Sequence, residues 1–468
     1  MRWGNKHIAC NPLHAQLAAY VRQQKATDVE VLDCRAVGLD EAALLDHVKQ
    51  AAPDAILLGT RLVTDGGATP LVRFIETMAL LKDHLPEVVT ILAGLGVSAM
   101  AKEILTMSPQ VDYILLGETE LTLVELLAEL QSRRLEVAEI SGLAYRRGSE
   151  ISLTAPRTLL ADLNTLPMPA YDLFPMEKYI GFSQIEHYNE AVTSRGCEGA
   201  CNFCYEWGLI DPRRSGDFFA HRTRSGKSVA DEMALLNQTY GVKALNFLDD
   251  DFNSDRQKML DLLAELEKRP VYIQWFFMGR ARNLIRDADL IPRMRKAGCY
   301  QVLFGIEAGT DEELAHLHKS KERYTIADLK ELVQLLRRND IASVGTYMSG
   351  FWNDDAAKIK HRFNVVDDID PDMGVLMLLT PLPGSPVWRQ AIQEECIENL
   401  DFQNWDALHS IMPTRYLSRA ELGKLSAWAN REFYRRPERI EWIRHGYTSP
   451  YVRMKFETNQ AAAHLIDQ

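Results

Sequence analysis

The chain has 468 residues, of which 46% are hydrophobic and 25% are charged. These fractions are ordinary for a globular protein and exclude disordered, collagen-like and low-complexity classes. The 65 Asp and Glu residues outnumber the 53 Lys and Arg residues and give a net charge of −12. A general nucleic-acid binder needs a cationic surface, so we expect no nucleic-acid partner.

No apolar stretch reaches the roughly 20 residues that a membrane-spanning helix needs. The first residues also lack the long apolar core of a secretory signal, so we expect a cytoplasmic protein. The 7 cysteines are too few for a disulfide scaffold. Three of them lie within eight residues, which in a reducing compartment indicates metal binding or catalysis.

Residues 1–135 are predicted to form the first domain. Short runs of Val, Ile and Leu alternate with helical patterns and lack polar alternation, which is typical of parallel strands covered by helices on both faces. We predict a doubly wound, Rossmann-like α/β domain whose ligand site lies beyond the carboxyl ends of its strands. The strand candidates are residues 7–10, 29–32, 55–58, 88–92 and 113–116.

Three loops at these predicted strand ends are unusual in composition. Two of them, residues 60–67 and 93–98, are rich in glycine, and the third, residues 117–120, begins with glycine and opens a helix. Glycine lets the backbone approach a ligand closely, although turn geometry explains any single loop equally well. Three such loops at one edge of one sheet favour a ligand site.

The rest of the chain is predicted to contain three regions. Residues 136–190 form a linker with a small hairpin around Gly148 and an extended, proline-containing segment. Residues 191–390 contain six β/α units, which suit a partial or full parallel barrel with its chemistry at the carboxyl ends of the strands. Residues 391–468 form a helical C-terminal tail. The barrel strand candidates are residues 191–193, 244–248, 272–277, 301–304, 343–348 and 373–379.

Cys197, Cys201 and Cys204 form a C-x3-C-x2-C pattern directly after the first barrel strand. Three thiolates on one tight loop can bind three irons of a cubic 4Fe–4S cluster and leave the fourth iron open. A structural zinc site would need a fourth Cys or His nearby, whereas Cys299 is about a hundred residues away. Three incidental buried cysteines are the alternative interpretation.

These features resemble the radical S-adenosylmethionine (SAM) enzymes, in particular their cobalamin-dependent branch. The resemblance covers roughly residues 5–390 and implies a cobalamin-binding domain, a partial (β/α)6 radical SAM barrel and a C-terminal region on the substrate side. In this family the open iron binds the amino and carboxylate groups of SAM. One-electron reduction then cleaves SAM to methionine and a 5′-deoxyadenosyl radical.

The resemblance also implies a set of SAM-binding residues at the barrel strand ends. A carboxylate there can accept hydrogen bonds from the SAM ammonium, although a solvated acidic turn also explains residues 249–251. Either arginine after the third strand could pair with the SAM carboxylate or with these acidic residues. Lys319 stands where relatives carry a lysine, with an exposed helix-end lysine as the equal alternative. The SAM-binding set is Tyr205, Asp249, Asp250, Arg280, Arg282, Glu307 and Tyr347.

Cobalamin contacts are implied at the three loops of the first domain. The chain has no D-x-H-x-x-G segment, and His14, without an Asp partner to orient it, is interpreted as incidental. Arg61 would lie beneath the corrin ring, with a surface ion pair as the alternative. The cobalamin-binding set is Thr60, Arg61, Leu62, Thr64, Gly94, Gly96, Ser98, Gly117, Glu118 and Glu120.

The implied function is transfer of a methyl group from SAM, through methylcobalamin, to a carbon centre of a small-molecule or natural-product substrate. The alternative is a non-methylating cyclase or ring-rearranging enzyme similar to the anaerobic Mg-protoporphyrin ester cyclase. A cobalamin carrier or light sensor would have no use for the three cysteines. A reductant such as flavodoxin or ferredoxin is implied. The basic, aromatic tail after residue 413 leaves an anionic substrate or peripheral membrane contact open.

Overall fold

The computed structural model describes residues 7–60, 69–94, 96–132, 136–199, 201–213, 220–318 and 324–465. Within these ranges the chain forms two main sheets, each packed against helices. The fold class predicted from the sequence is confirmed. No helix in these ranges is both long and apolar enough to cross a membrane.

The first sheet has five strands in the order β1-β2-β3-β4-β5, and only the first three are parallel. The hairpin predicted within the linker pairs antiparallel to β3 and supplies the other two strands. The strands are β1 (Ala55–Thr60), β2 (Val89–Gly94), β3 (Tyr113–Leu115), β4 (Leu143–Arg147) and β5 (Glu150–Leu153). The linker boundary at residue 136 therefore cuts through one sheet.

Two predicted strands of this domain are wrong. Residues 29–32 form no strand, and residues 7–10 contribute only an isolated bridge between Ile8 and Ile180. Both runs are apolar, but their side chains are used for packing instead of pairing. Val29 and Val31 pack against Ala18 of the first helix. Short apolar runs of this kind fit a strand and a packed irregular segment equally well.

The second sheet is a parallel, six-stranded sheet with the order β15-β14-β13-β12-β11-β8. It overlaps all six predicted barrel strands, and its open edges at β8 and β15 make it a partial barrel. The remaining strands of the chain are β6 (Ile180–Gly181), β7 (Ile185–Glu186), β8 (Tyr188–Ala191), β9 (Ser194–Arg195), β10 (Arg222–Thr223), β11 (Ala244–Phe247), β12 (Gln274–Met278), β13 (Cys299–Glu307), β14 (Ala342–Ser349) and β15 (Met373–Leu378).

Helices cover both sheets. In the first part these are α1 (Pro12–Gln23), α2 (Cys34–Val37), α3 (Glu41–Ala51), α4 (Thr69–His84), α5 (Ala101–Met107) and α6 (Glu120–Ser132). The barrel helices are α7 (Gly226–Tyr240), α8 (Arg256–Lys268), α9 (Ala281–Arg286), α10 (Ile291–Lys296), α11 (Asp311–His318), α12 (Ile326–Arg338) and α13 (Ala356–Ile369). The tail contains α14 (Pro386–Gln393), α15 (Arg419–Phe433), α16 (Pro437–His445) and α17 (Pro450–Leu465).

The barrel helices are specified locally and dock through apolar stripes. Helix α12 shows both signals. Thr325 and Asp328 form a reciprocal capping box at its start, which satisfies backbone donors that would otherwise lack partners. Leu329, Leu332 and Leu336 recur at helical spacing and are buried. They join the core on the outer face of the sheet, which leaves the inner face for the site.

The tail contributes mainly to this outer core. Phe433 is 1% exposed and packs against Gly374 of β15, where an added Cβ would lie 2.7 Å from the Phe433 ring. Tyr434 is also buried, and its hydroxyl donates to the Gly374 carbonyl at 3.0 Å. Trp442, in contrast, is 40% exposed. Most aromatic residues of the tail that the structure describes thus act as core residues.

Candidate active site

The cysteine loop follows β9 at the carboxyl end of the barrel strands. The Gly199 amide donates to Cys197 Sγ at 3.3 Å, and the Cys201 carbonyl accepts the indole N–H of Trp207 at 3.0 Å. All three cysteines are half-buried residues. Burial raises the pKa of Cys204, and the Cys201 and Cys197 thiols raise it further, so the three thiols lie near one another.

The donor set fits a cluster better than a single ion. Burial raises the pKa of all three cysteines, so cationic iron is needed to keep them as thiolates. Among the described residues, no three His, Cys, Asp or Glu side chains are arranged to hold one metal ion. Zinc ligands must converge on one ion, whereas thiolates that bind three different irons of one cluster need not.

Asp249 makes structural contacts that the sequence did not predict. It is fully buried, and its Oδ1 accepts hydrogen bonds from the Thr193 amide at 3.0 Å and from the hydroxyls of Thr193 and Ser194. Lys258 Nζ lies 3.9 Å away. The Oδ1 atom of Asp249 therefore anchors the segment that leads into the cysteine loop. Its Oδ2 atom is buried and has no hydrogen-bond partner among the described residues, so the predicted contact with SAM stays a prediction. The full burial of Asp249 excludes a solvated turn at this residue.

The next two acidic residues lie closer to the cysteines. Asp250 accepts a 2.6 Å hydrogen bond from the Tyr205 hydroxyl. Asp251, which the sequence did not single out, lies 4.0 Å from Cys197 Sγ and accepts from the Asn283 amide at 3.1 Å. Burial raises its pKa to about 6, against the opposing effect of Arg280. A run of three aspartates gives no signal that distinguishes these roles.

Arg280 and Glu307 both lie near the Cys201 thiol. Arg280 Nη1 and Glu307 Oε2 are both buried and make no hydrogen bond to any residue that the structure describes. Both residues are close enough to shift the pKa of Cys201, Glu307 upward and Arg280 downward. A buried charge without a partner is costly, and the chemistry of this pair fits a ligand that carries both a cation and an anion.

Glu307 occupies a strained position at the end of β13. Its φ is +62°, and its Oε1 lies 3.4 Å from the Thr346 hydroxyl, which donates to it. A Cβ at residue 305 would lie 2.4 Å from this carboxylate, which explains the glycine there. Burial raises the Glu307 pKa to about 7. Backbone strain of this kind is common at functional sites.

Two other predicted SAM contacts have different surroundings. Arg282 donates to Glu198 of the cysteine loop at 2.8 Å and so supports that loop. Tyr347 is 1% exposed and joins the outer core, where Tyr434 and Asp367 influence its pKa after burial. Successive strand residues face opposite sides, so Thr346, not Tyr347, shares the inner face with Glu307. This geometry does not support the predicted contact of Tyr347 with SAM, which stays a prediction.

Tyr324 is a site residue that the sequence analysis missed. Burial raises its pKa, and Glu307, Arg280 and Cys201 all influence it, which places its ring among them. No motif precedes it in the sequence. Lys319, which does carry a family signal, lies outside the described residues.

The loops of the first sheet meet the cysteine loop. Gly94 and Gly96 have φ of +101° and +75°, and the Gly96 amide donates to the Gly208 carbonyl at 3.1 Å. The buried Ser98 hydroxyl accepts from the Gly117 amide at 2.9 Å, which joins two of the three predicted loops. Thr60 is described only by its backbone in β1, and Arg61, Leu62 and Thr64 lie outside the described residues.

Glu118 and Glu120 do not point to an open ligand face. Arg222 donates to Glu118 at 2.8 Å, and Arg195 pairs with both oxygens of Glu120. These carboxylates are therefore neutralised by arginines from β9 and β10, and the prediction that they contact cobalamin is not supported by their geometry. Paired carboxylates of this kind join the first sheet to the barrel.

His14 lies near the carboxyl end of β1. Asn11 caps α1 and donates to the Gly59 carbonyl at 2.9 Å, which fixes that helix start. His14 Nε2 is buried and makes no hydrogen bond. Burial lowers the His14 pKa to about 4, so the imidazole is neutral at pH 7. Its interpretation as incidental stays a prediction.

A partial parallel barrel that carries three clustered cysteines, with an α/β domain against its cysteine loop, defines an iron–sulfur enzyme. Residues 191–361 match the family model of the Radical SAM superfamily, and this stretch carries all three clustered cysteines. The radical SAM domain implies both the cluster and SAM.

The relatives cover nearly the whole chain. It is 26% identical to an uncharacterized methyltransferase of Pyrococcus horikoshii, over 91% of this chain and 87% of that protein. It is also 26% identical to the anaerobic magnesium-protoporphyrin IX monomethyl ester cyclase of Rubrivivax gelatinosus, over 87% of this chain and 70% of that protein. Among solved structures, the cobalamin-dependent SAM radical enzyme OxsB matches with a TM-score of 0.72 and 16% identity, over 98% of this chain and 70% of that chain. The described part of the chain thus shares the fold of the matched part of that enzyme.

Simultaneous replacement of Cys197, Cys201 and Cys204 by alanine should abolish the broad iron–sulfur absorbance near roughly 400 nm. The reconstituted wild-type protein should bind about four irons per chain, measured by iron and sulfide analysis. Replacing Cys10, Cys34, Cys299 or Cys396 should leave both values unchanged. A triple variant that retains its iron would disprove the cluster assignment.

Glu307→Gln should change the pH dependence of stability in the SAM-free protein. The folded pKa of about 7 exceeds the ordinary value of 4.5, so folded Glu307 holds a proton that the unfolded chain releases. Its contribution is therefore present below about pH 4.5 and is lost as the pH rises to about 7. Thermal unfolding midpoints between pH 5 and pH 7.5 should fall less steeply in Glu307→Gln. Equal slopes would contradict this.

Proposed function

We propose that this enzyme is a cobalamin-dependent radical SAM methyltransferase that methylates a carbon centre of a small molecule. The observation that carries the proposal is the direct contact between two candidate ligand-binding regions. A cysteine loop with unpartnered Arg280 and Glu307 atoms lies at one face. The glycine loops of the first sheet lie at the other and bond directly to the segment after the cysteines.

SAM fits the charge pattern at the cysteine loop. Its carboxylate would pair with the Arg280 guanidinium, whose Nη1 lacks a partner, and its ammonium would pair with Glu307 Oε2. An ammonium at Glu307 would favour the ionised carboxylate and lower the Glu307 pKa. When bound, the cluster and SAM supply one-electron bond cleavage, and cobalamin supplies a transferable methyl group.

The inner face of the barrel suits an apolar reacting carbon. Several apolar residues on this face are only partly buried, although the outer-face residues of the same strands are almost fully buried. These residues are Met278, Leu303, Val375 and Met377. They follow the same side of the sheet as Glu307. Apolar walls around the reacting carbon exclude water, which protects a reactive species from side reactions.

Cobalamin fits the edge of the first sheet. The positive φ angles at Gly94, Gly96 and Gly117 turn the backbone of two loops where a side chain would be strained. The similar structure of OxsB is described with aqua-cobalamin and SAM bound. A soluble reductant such as flavodoxin or ferredoxin would deliver the electron.

The second candidate is a cyclase that adds no methyl group. It rests on the Rubrivivax cyclase, which is as similar to this chain as the Pyrococcus methyltransferase. The two functions use the same cofactors, so the products distinguish them.

Bound cobalamin should lack a histidine ligand to cobalt. His14 has no carboxylate partner that would orient it, and its neutral imidazole is buried. The full-length protein loaded with Co(II) cobalamin should therefore give an electron paramagnetic resonance (EPR) spectrum without splitting by a protein nitrogen. His14→Ala is the matched comparison. Splitting in the wild-type protein that disappears in His14→Ala would show that His14 is a ligand.

With its true substrate, the enzyme should form S-adenosylhomocysteine and 5′-deoxyadenosine in near-equal amounts. One SAM is used for radical formation and a second for remethylation. Deuterium at the methylated carbon should appear in the 5′-deoxyadenosine, measured by mass spectrometry. Product without an added methyl group would support the cyclase instead. Methylated product without 5′-deoxyadenosine would indicate polar methyl transfer.

A further inference from the structure

Two carboxylates after β3 and two arginines next to the cysteine loop form one buried cluster, which we call the interdomain charge cluster: Glu118, Glu120, Arg195 and Arg222. Its side chains are only 7–15% exposed. Arg195 Nη1 lies 3.2 Å from Glu120 Oε2 and 3.4 Å from Glu118 Oε1, and Arg222 Nη1 lies 2.8 Å from Glu118 Oε1.

The cluster is balanced in charge and well bonded. Glu118 Oε2 accepts from the Leu160 amide at 2.8 Å, and Arg222 also donates to the Leu160 carbonyl at 2.8 Å. Although burial opposes it, Arg195 and Arg222 hold the pKa of Glu118 below its ordinary value. The Glu118 carboxylate is therefore ionised at neutral pH. Removing one partner of such a set leaves a buried charge uncompensated.

The cluster is connected directly to the cysteines. Arg195 is two residues before Cys197 and pairs with Arg222 through the short β9–β10 ribbon. Gly196, which lies between Arg195 and Cys197, has φ +76°, and an added Cβ there would lie 2.7 Å from the Ala220 carbonyl oxygen. This close packing leaves little freedom between Arg195 and Cys197, so a shift of the arginine moves the first cysteine.

We propose that Arg195 is a positioning residue and that the interdomain charge cluster sets the placement of the cysteine loop relative to the first domain. The inference deepens the proposed function, because a methyl donor on one domain and a radical source on the other must reach the same carbon. Buried ion pairs add little net stability compared with apolar residues. The fixed, two-pronged geometry of arginine on a carboxylate supplies orientation instead.

The far end of the cysteine loop is held differently. There the Gly96 amide bonds to the Gly208 carbonyl at 3.1 Å, and Gly384 packs so closely that an added Cβ would lie 2.6 Å from the Trp207 carbonyl oxygen. These are backbone contacts. Loss of Arg195 should therefore release one end of the loop while the other end stays attached.

The test compares Arg195→Met and Arg195→Lys with the control Arg157→Gln. Arg157 pairs with Glu125 of α6, so the control breaks an ion pair of the same helix without touching the cysteine loop. Hydrogen–deuterium exchange of the full-length, cluster-loaded protein, without SAM or cobalamin, should rise in residues 193–204 and 113–120 of Arg195→Met. Exchange elsewhere and in the control should match the wild type. Unchanged exchange in those segments, or a rise over the whole chain, would overturn the proposal.

Activity provides a second readout. Arg195→Met should still cleave SAM to 5′-deoxyadenosine but should form at least about tenfold less methylated product per cleavage, because a small misplacement of reacting groups is costly. Arg195→Lys should recover part of this ratio. A wild-type ratio in Arg195→Met, or an equal loss of cleavage and methylation, would contradict a positioning role. If the wild-type protein forms no methylated product, the proposed function fails, whereas the exchange result still decides the role of Arg195.

Discussion

The hydrogen bonds that Asp249 accepts are the contacts on which the geometry of the site depends. Its buried carboxylate binds Thr193 and Ser194, which lie immediately before the segment that leads to the first cysteine. Lys258 donates to the same Thr193 hydroxyl at 2.6 Å. Its ammonium also lies near the Asp249 carboxylate and partly balances the negative charge of that carboxylate. The next residue, Arg195, then joins this segment to the first domain through its ion pair with Glu120. The cysteine loop is thus held from the barrel on one side and from the first sheet on the other.

The charges around the loop fall into two groups. Glu118, Glu120 and the Oδ1 atom of Asp249 are engaged in contacts within the protein. Arg280 Nη1, Glu307 Oε2 and Asp249 Oδ2 are buried and have no hydrogen-bond partner among the described residues. The first group stabilises a fixed shape, and the second fits a ligand of complementary charge. This division explains why acidic residues at equivalent strand ends have different roles.

The sequence predicted those features that depend on local pattern. The cysteine spacing, the six barrel strands and the glycine loops are all legible within a few residues. The sequence did not predict which sheet face a strand residue occupies or which distant residue pairs with each charged side chain. The register shifts between Gly305 and Glu307, so Glu307 pairs with Tyr347 in the sheet while its carboxylate accepts from the Thr346 hydroxyl. The inward residue of β14 could therefore not be chosen from its own sequence. The partners of Glu118 and Glu120 lie 75 to 104 residues away, beyond any sequence spacing rule.

The cluster and cobalamin are expected to face one cleft, and magnetic relaxation tests this directly. The spin–lattice relaxation rate of bound Co(II) would be measured by pulsed EPR, with the iron–sulfur cluster oxidised and then reduced. Cobalt should relax faster when the reduced, paramagnetic cluster is present, and no such change should occur in the protein lacking Cys197, Cys201 and Cys204. Identical relaxation rates in the oxidised and reduced wild-type protein would contradict a shared cleft.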